Sequence, residues 1–308
     1  MKRFLLHTLL FLIILLASIF VVYKLADGTT DAFYVKFSSP TQTSLIVGSS
    51  RAAQGIQPNA IDSIYGCNAM YNYAFTIAQT PYGEPYYKSI SSKLNKEHNK
   101  GVFILDVNPW TLSEYKSSNV NSGYREDDTF IANTYFVNLN PNIEYLLESF
   151  KGKNEAIIRN KNRRGLYQTF YAHDNGWLEV TIESDMMSQS VRTENKIKTY
   201  KKRLKLYKGF SQYRQDYLIK TIQLLKERGD VYLVRIPVID QMLELEEKLV
   251  PNFNKIMQNI ANKNQIPYIN MMPQNKHYDY TDGQHLTVTS AKQFSLDLAN
   301  TMNKMKKP

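Results

Sequence analysis

Cysteine is all but missing from this chain of 308 residues, Cys67 being the only one. A single thiol excludes an intrachain disulfide and a cysteine-built zinc site, and it reads as a free buried thiol. RNP motifs, zinc-finger spacings, internal repeats and low-complexity tracts are missing as well. The balance of charge is nevertheless strongly positive, with a formal net charge of +10 and a pI near 9.3. Such a surface suits an anionic partner, whether nucleic acid, phospholipid head groups or an acidic cell-surface polymer. Without a nucleic-acid module, the first of these is set aside. Twenty-two Tyr and fourteen Phe offer stacking surfaces for bases or sugars. With 43% hydrophobic residues, the chain can bury the core of one large or two ordinary domains.

The N-terminus carries a long apolar run. Lys2 and Arg3 precede residues 4–23, where only His7, Thr8 and Ser18 are polar. At about 1.5 Å per residue, such a helix crosses a hydrocarbon layer of about 30 Å. The leading basic residues put the N-terminus in the cytoplasm and the chain beyond Lys24 outside it. A cleavable signal peptide is the alternative, but its apolar region would span only ~7–15 residues, and no small-x-small site follows closely. The expectation is an uncleaved anchor over residues 1–25 and one extracytoplasmic unit over 26–308. Cys67 lies too far downstream to be a lipid-attachment cysteine.

Short apolar runs bounded by turn formers alternate with helical patterns along the rest. A polar connector over 26–40 is expected to contribute a first short strand. Strands follow around Leu45-Ile46-Val47, over 69–75, 102–107, 231–236 and 266–271. Helices are expected over 59–65, 81–99, 213–228, 240–263 with an interruption at Pro251, and 288–304 with Thr287 as N-cap. This alternation means a parallel α/β sheet with helices on both faces. Residues 111–209 resist that pattern and read as an insertion with partial helices over 143–150 and 194–206. Its basic clusters, Arg159, Lys161, Arg163 and Arg164 and then 196–208, read first as solvated faces and second as a grip on an anionic polymer or membrane surface.

In a parallel sheet every strand ends on the same edge, so polar groups after distant strands meet there. The first strand ends in Gly48-Ser49-Ser50, the third in Asp106, Asn108 and Trp110, and the fifth leads to His277 and then Asp282-Gly283-Gln284-His285. A serine hydroxyl needs a base to become a nucleophile, and imidazole has the suitable pKa. Asp282 lies three residues before His285, within reach of its Nδ1, which would turn Nε2 toward Ser50. Asn108 and the backbone N–H of Ser50 could face an oxyanion.

Each feature also has a plainer reading. Gly48-Ser49-Ser50 could be an ordinary turn, Asn108 a strand cap before Pro109, and Asp282 with His285 a structural pair. His277, Asp279, Asp282 and His285 could instead gather a divalent metal, although this leaves the strand-end serine unexplained. Glu84, His98 and His173 have no evident partner.

On these residues the chain resembles the SGNH or GDSL-type esterases and acyltransferases. Gly48-Ser49-Ser50 stands where that family has Gly-Asp-Ser, and Asp282-Gly283-Gln284-His285 matches its Asp-x-x-His block, with Leu286 following. Serine in place of the aspartate is similar to the membrane-anchored branch typified by DltD, the lipoteichoic-acid D-alanylation protein, and by alginate O-acetylation proteins. Asn108 stands in Val-Asn-Pro-Trp rather than Gly-x-Asn-Asp, and Asn72-Tyr73-Ala74 is the nearest equivalent of the glycine block. The resemblance covers residues 43–110 and 213–304.

It implies a three-layer flavodoxin-like sheet, with Ser50 as nucleophile, His285 as base, Asp282 as its orienter, and Asn108 and the Ala74 backbone at the oxyanion. It further implies a protein of the bacterial cytoplasmic membrane that needs no cofactor. The acyl acceptor would be a cell-surface or secreted polysaccharide, or water, and a membrane-bound O-acyltransferase would be a partner. A non-catalytic module of the same fold, positioning a polysaccharide for such a partner, is the alternative.

Overall fold

The computed structural model describes residues 1–66, 69–118, 121–152, 154–161, 169–182 and 185–306. Cys67, Arg163 and Arg164 lie outside them. The apolar N-terminal run forms helix α1 (Lys2–Tyr23), long and apolar enough to span a membrane. Its last residue, Tyr23, is buried against the body together with Ala26. The short strand expected in the connector is instead helix α2 (Tyr34–Ser38). Asp31 Oδ1 accepts the N–H groups of Phe33 and Tyr34, each at 2.7 Å, and these side-chain bonds start a helical turn in place of the strand expected in the polar connector.

The alternation of the core follows as expected. Strand β1 (Ser44–Val47) leads to α3 (Ser50–Gly55) and α4 (Pro58–Tyr65), then to β2 (Met70–Asn72). A 3-10 turn at Ile77–Gln79 and helix α5 (Glu84–Lys93) precede β3 (Gly101–Asp106). The inserted segment contains β4 (Ser113–Tyr115), α6 (Phe130–Asn133), α7 (Asn154–Asn160), the strands β5 (Thr169–Ala172) and β6 (Leu178–Thr181), α8 (Met186–Leu204) and β7 (Tyr207–Phe210). The helix expected over 143–150 is a single π-helical turn, Tyr145–Ser149. Antiparallel pairing of β4 with β7 ties the two ends of the insertion together. The chain then returns through α9 (Gln212–Lys226), β8 (Gly229–Arg235), α10 (Asp240–Leu249), α11 (Phe253–Asn264), β9 (Tyr268–Asn270) and α12 (Val288–Met305). The interruption at Pro251 is a full break between α10 and α11, since proline has no N–H for the helical ladder.

β2, β1, β3, β8 and β9 lie side by side in that order in one all-parallel sheet. Successive side chains leave opposite faces. Leu45, Val47, Phe103, Leu105, Val231 and Leu233 face one apolar cluster, and Ile46, Val102, Ile104, Tyr232 and Val234 face the other. This burial on both faces is why the strands read as continuous apolar runs. Each fully buried Leu, Ile or Val contributes roughly 1.5–3 kcal/mol. On the second face α12 packs against α3 and α4, while α9 covers β8 on the first.

β1 and β3 approach closely at Gly48. A Cβ there would lie 2.6 Å from Asp106 Cβ and 2.7 Å from Ala52 Cβ. Gly48→Ala should therefore strain the strand-to-helix turn and cost about 1–3 kcal/mol. Thermal unfolding of the full chain in detergent would show this as a lower Tm, and an unchanged Tm would refute the tight approach.

Candidate active site

From β1 the chain runs to β2 on one side, while β3 lies on the other. The crevice beyond the C-terminal ends of β1 and β3 is thus the topological switch point, where open α/β sheets hold ligands. Ser49 turns inward there. Its N–H and Oγ donate to Asp106 Oδ2 at 3.1 and 2.8 Å, and its Oγ accepts from the Arg51 N–H as the N-cap of α3. Ser50 is the first residue of α3 and turns outward, so its own N–H has no acceptor within the helix.

Ser50 Oγ lies 2.9 Å from His285 Nε2. On the opposite side of the ring, His285 Nδ1 lies 2.9 Å from Asp282 Oδ2 and 3.1 Å from Oδ1. With Nδ1 donating to the carboxylate, Nε2 is free to accept the Ser50 hydroxyl proton. The Asp282-Gly283-Gln284-His285 turn is held by Asp282 Oδ1, which accepts the N–H groups of Gln284 and His285 at 3.2 and 3.1 Å. Gly283 sits at φ +85°, a left-handed conformation that favours glycine. The three side chains that sequence reasoning selected as nucleophile, base and orienter therefore stand in one line.

Burial by itself would raise the Asp282 pKa, but the His285 imidazole and the Lys196 ammonium hold this carboxyl well below the usual carboxylate range. Lys196 Nζ lies 2.7 Å from Asp282 Oδ2. Beneath α3, buried Arg51 pairs with Glu246 Oε1 at 2.5 Å, and Glu246 Oε2 receives Arg235 Nη2 at 2.7 Å. The residue after Ser50 is thereby tied to α10. Burial pushes the Asp106 carboxyl up, against the opposing pull of Arg51 and the Ser49 bonds.

The cleft over the triad holds about 510 Å³. One wall is the 76–78 turn and the other is α8, which brings Arg192, Lys196, Tyr200 and Arg203. Part of the basic cluster read as a solvated face thus lines the cleft. The spacing of 192, 196, 199 and 203 along one helical face would have revealed it, had α8 been placed over the site. Gln284, 3% exposed, also lines the cleft, with Nε2 3.5 Å from His285 Nε2.

Two expected oxyanion groups are not brought there. The Asn108 side chain is spent on its own turn, Oδ1 accepting the N–H groups of Trp110 and Thr111 at 3.1 Å each and Nδ2 reaching Asp106 Oδ2 at 3.4 Å. The Ala74 N–H donates to Asn72 Oδ1 at 3.1 Å. Neither residue lines the cleft. The Ile77–Gln79 turn reaches the cleft in place of Ala74.

Among the described residues no group of three or more His, Cys, Asp or Glu is placed to hold a metal ion, and the Asp279 N–H is bonded to Ser290 Oγ at 2.8 Å. His173 pairs with Glu179 at 2.7 Å across the β5–β6 hairpin, and Glu84 with Lys88 at 2.7 Å along α5. His98 is exposed beyond the end of α5. The sequence matches no protein-family model, and no curated protein matches it.

Because Asp282 is held below its ordinary value of 3.8, its ionised form stabilises the folded state above that pH, and this contribution is lost as pH falls further. The stability advantage of the wild type over Asp282→Asn should be full at neutral pH and shrink steadily below about pH 4. Urea unfolding followed by tryptophan fluorescence across that range checks the slope. An advantage independent of pH would contradict the ion-paired carboxylate.

Proposed function

We propose that this chain is an SGNH-like serine acyl-transfer enzyme, an O-acyltransferase or acyl esterase acting on a cell-surface or secreted polysaccharide. The observation that carries this reading is the Ser50–His285–Asp282 line at the sheet's switch point, with both hydrogen bonds at 2.9 Å. The strand order is the one described for flavodoxin-like doubly wound sheets, which suits an SGNH-like architecture.

In the proposed reaction Ser50 Oγ attacks the carbonyl carbon of an acyl ester while its proton passes to His285 Nε2. Asp282 stabilises the imidazolium that results. The tetrahedral oxyanion faces the Ser50 N–H, with the first N–H of the Ile77–Gln79 turn as the second donor. Collapse breaks the ester bond, and His285 gives its proton to the departing alkoxide. An acceptor hydroxyl or water, deprotonated in turn by His285, then attacks the acyl-serine and frees Ser50.

A pocket of about 630 Å³ adjoins the cleft at Ala78. Phe33, Phe130 and Phe150 line it together with Asp128, Asn133 and Glu148, a combination that stacks on sugar rings and accepts from their hydroxyls. This supports a carbohydrate acceptor. Helix α1 supports a single-pass location in a bacterial cytoplasmic membrane with the catalytic unit outside, where a membrane-bound O-acyltransferase would supply acyl groups. The absence of Asn108 and Ala74 from the cleft favours a second reading, a polysaccharide-positioning module of the same fold. The direct Ser50–His285 contact argues for catalysis over it.

Ser50→Ala should reduce hydrolysis of p-nitrophenyl acetate by about a thousandfold or more, as for other serine triads. Ser49→Ala should keep the chemistry and lower stability, because Ser49 bonds Asp106 and not the base. Wild-type turnover by Ser50→Ala would sink the proposal.

A further inference from the structure

We propose that Lys196 is a positioning residue for the triad, an ammonium from the inserted segment that shares Asp282 with His285 and sets how much carboxylate charge the imidazole faces. This rests on the reading of His285 as the general base for Ser50. Lys196 Nζ meets the same Asp282 Oδ2 that faces His285 Nδ1, at 2.7 and 2.9 Å respectively. The contact is not a chance surface pair, because α8 grips three consecutive residues of the triad loop. Gln189 Nε2 donates to the Tyr280 carbonyl, Arg192 Nε donates to the Thr281 carbonyl at 3.1 Å, and Lys196 takes Asp282. Positions 189, 192 and 196 follow one helical face, so the whole edge of α8 lies along residues 280–282.

The electrostatic consequence has a definite sign. A carboxylate facing imidazole stabilises the imidazolium and raises its pKa, whereas a nearby ammonium opposes it. Lys196 neutralises part of the Asp282 charge that the imidazole faces, while Asp282 still orients the ring. The other charged groups lining the cleft are Arg192, bonded to Thr281, and Arg203, stacked over the Tyr200 ring at 5.0 Å. Arg51, below the nucleophile, is committed to Glu246. Lys196 pairs directly with Asp282.

The test is the pH profile of kcat/KM for p-nitrophenyl acetate hydrolysis by the full chain in detergent. For Lys196→Met the acidic limb should move up by about one pH unit, whatever the plateau does, and Lys196→Arg should return it toward the wild-type position. A uniform loss at every pH with an unmoved limb would show a merely structural contact and overturn the proposal. Ser50→Ala in the same series separates the two claims, since its retention of turnover would defeat the general-base reading itself. In that event the role of Lys196 is decided by the titration of the His285 ring, followed by NMR on 15N-histidine-labelled protein and identified with His285→Gln. A raised midpoint in Lys196→Met supports the proposal, and an unmoved midpoint overturns it.

Discussion

A single buried carboxylate, Asp106, holds the turn on which the site depends. It ends β3, collects the N–H and hydroxyl of Ser49 from the end of β1, and meets Gly48 where no side chain fits. With Ser49 turned inward, the next residue must face out. Ser50 therefore emerges at the first turn of α3 with its N–H unspent, and the Arg51–Glu246–Arg235 network below fixes the direction in which it emerges. Ser49 thus has a structural role, bonding the aspartate that β3 supplies.

The insertion completes the site from the other side. Pairing of β4 with β7 closes it on itself, and α8 runs back over the edge of the sheet to the loop that carries Asp282 and His285. One wall of the cleft is therefore a basic helix and the other a short turn after β2, with an aromatic and acidic pocket beyond that turn. A ligand spanning both would lie across Ser50.

Much of this is legible in the sequence because its causes are local. Strands buried on both faces must be apolar throughout, so β1, β3 and β8 announce themselves, and the Asp282–His285 pair follows from a spacing of three residues. Sequence and structure part first where an Asp or Asn side chain turns back on the backbone two or three residues on, instead of serving the strand or site expected there. Asp31 turns an apparent strand into α2, Asn72 occupies the Ala74 N–H, and Asn108 folds back on Trp110 and Thr111. The pairing of Lys196 with Asp282 gives no signal in the sequence because the two are remote along the chain, and only the fold lays the Lys196 helix over the cleft.

Covalent capture of Ser50 tests the central claim most directly. The full chain in detergent would be treated with a fluorophosphonate ester at neutral pH and digested, and the adduct located by mass spectrometry. The structure predicts a single phosphonylated residue, Ser50, with labelling strongly reduced in His285→Ala. No adduct, or one distributed over surface serines and indifferent to His285, would contradict the account.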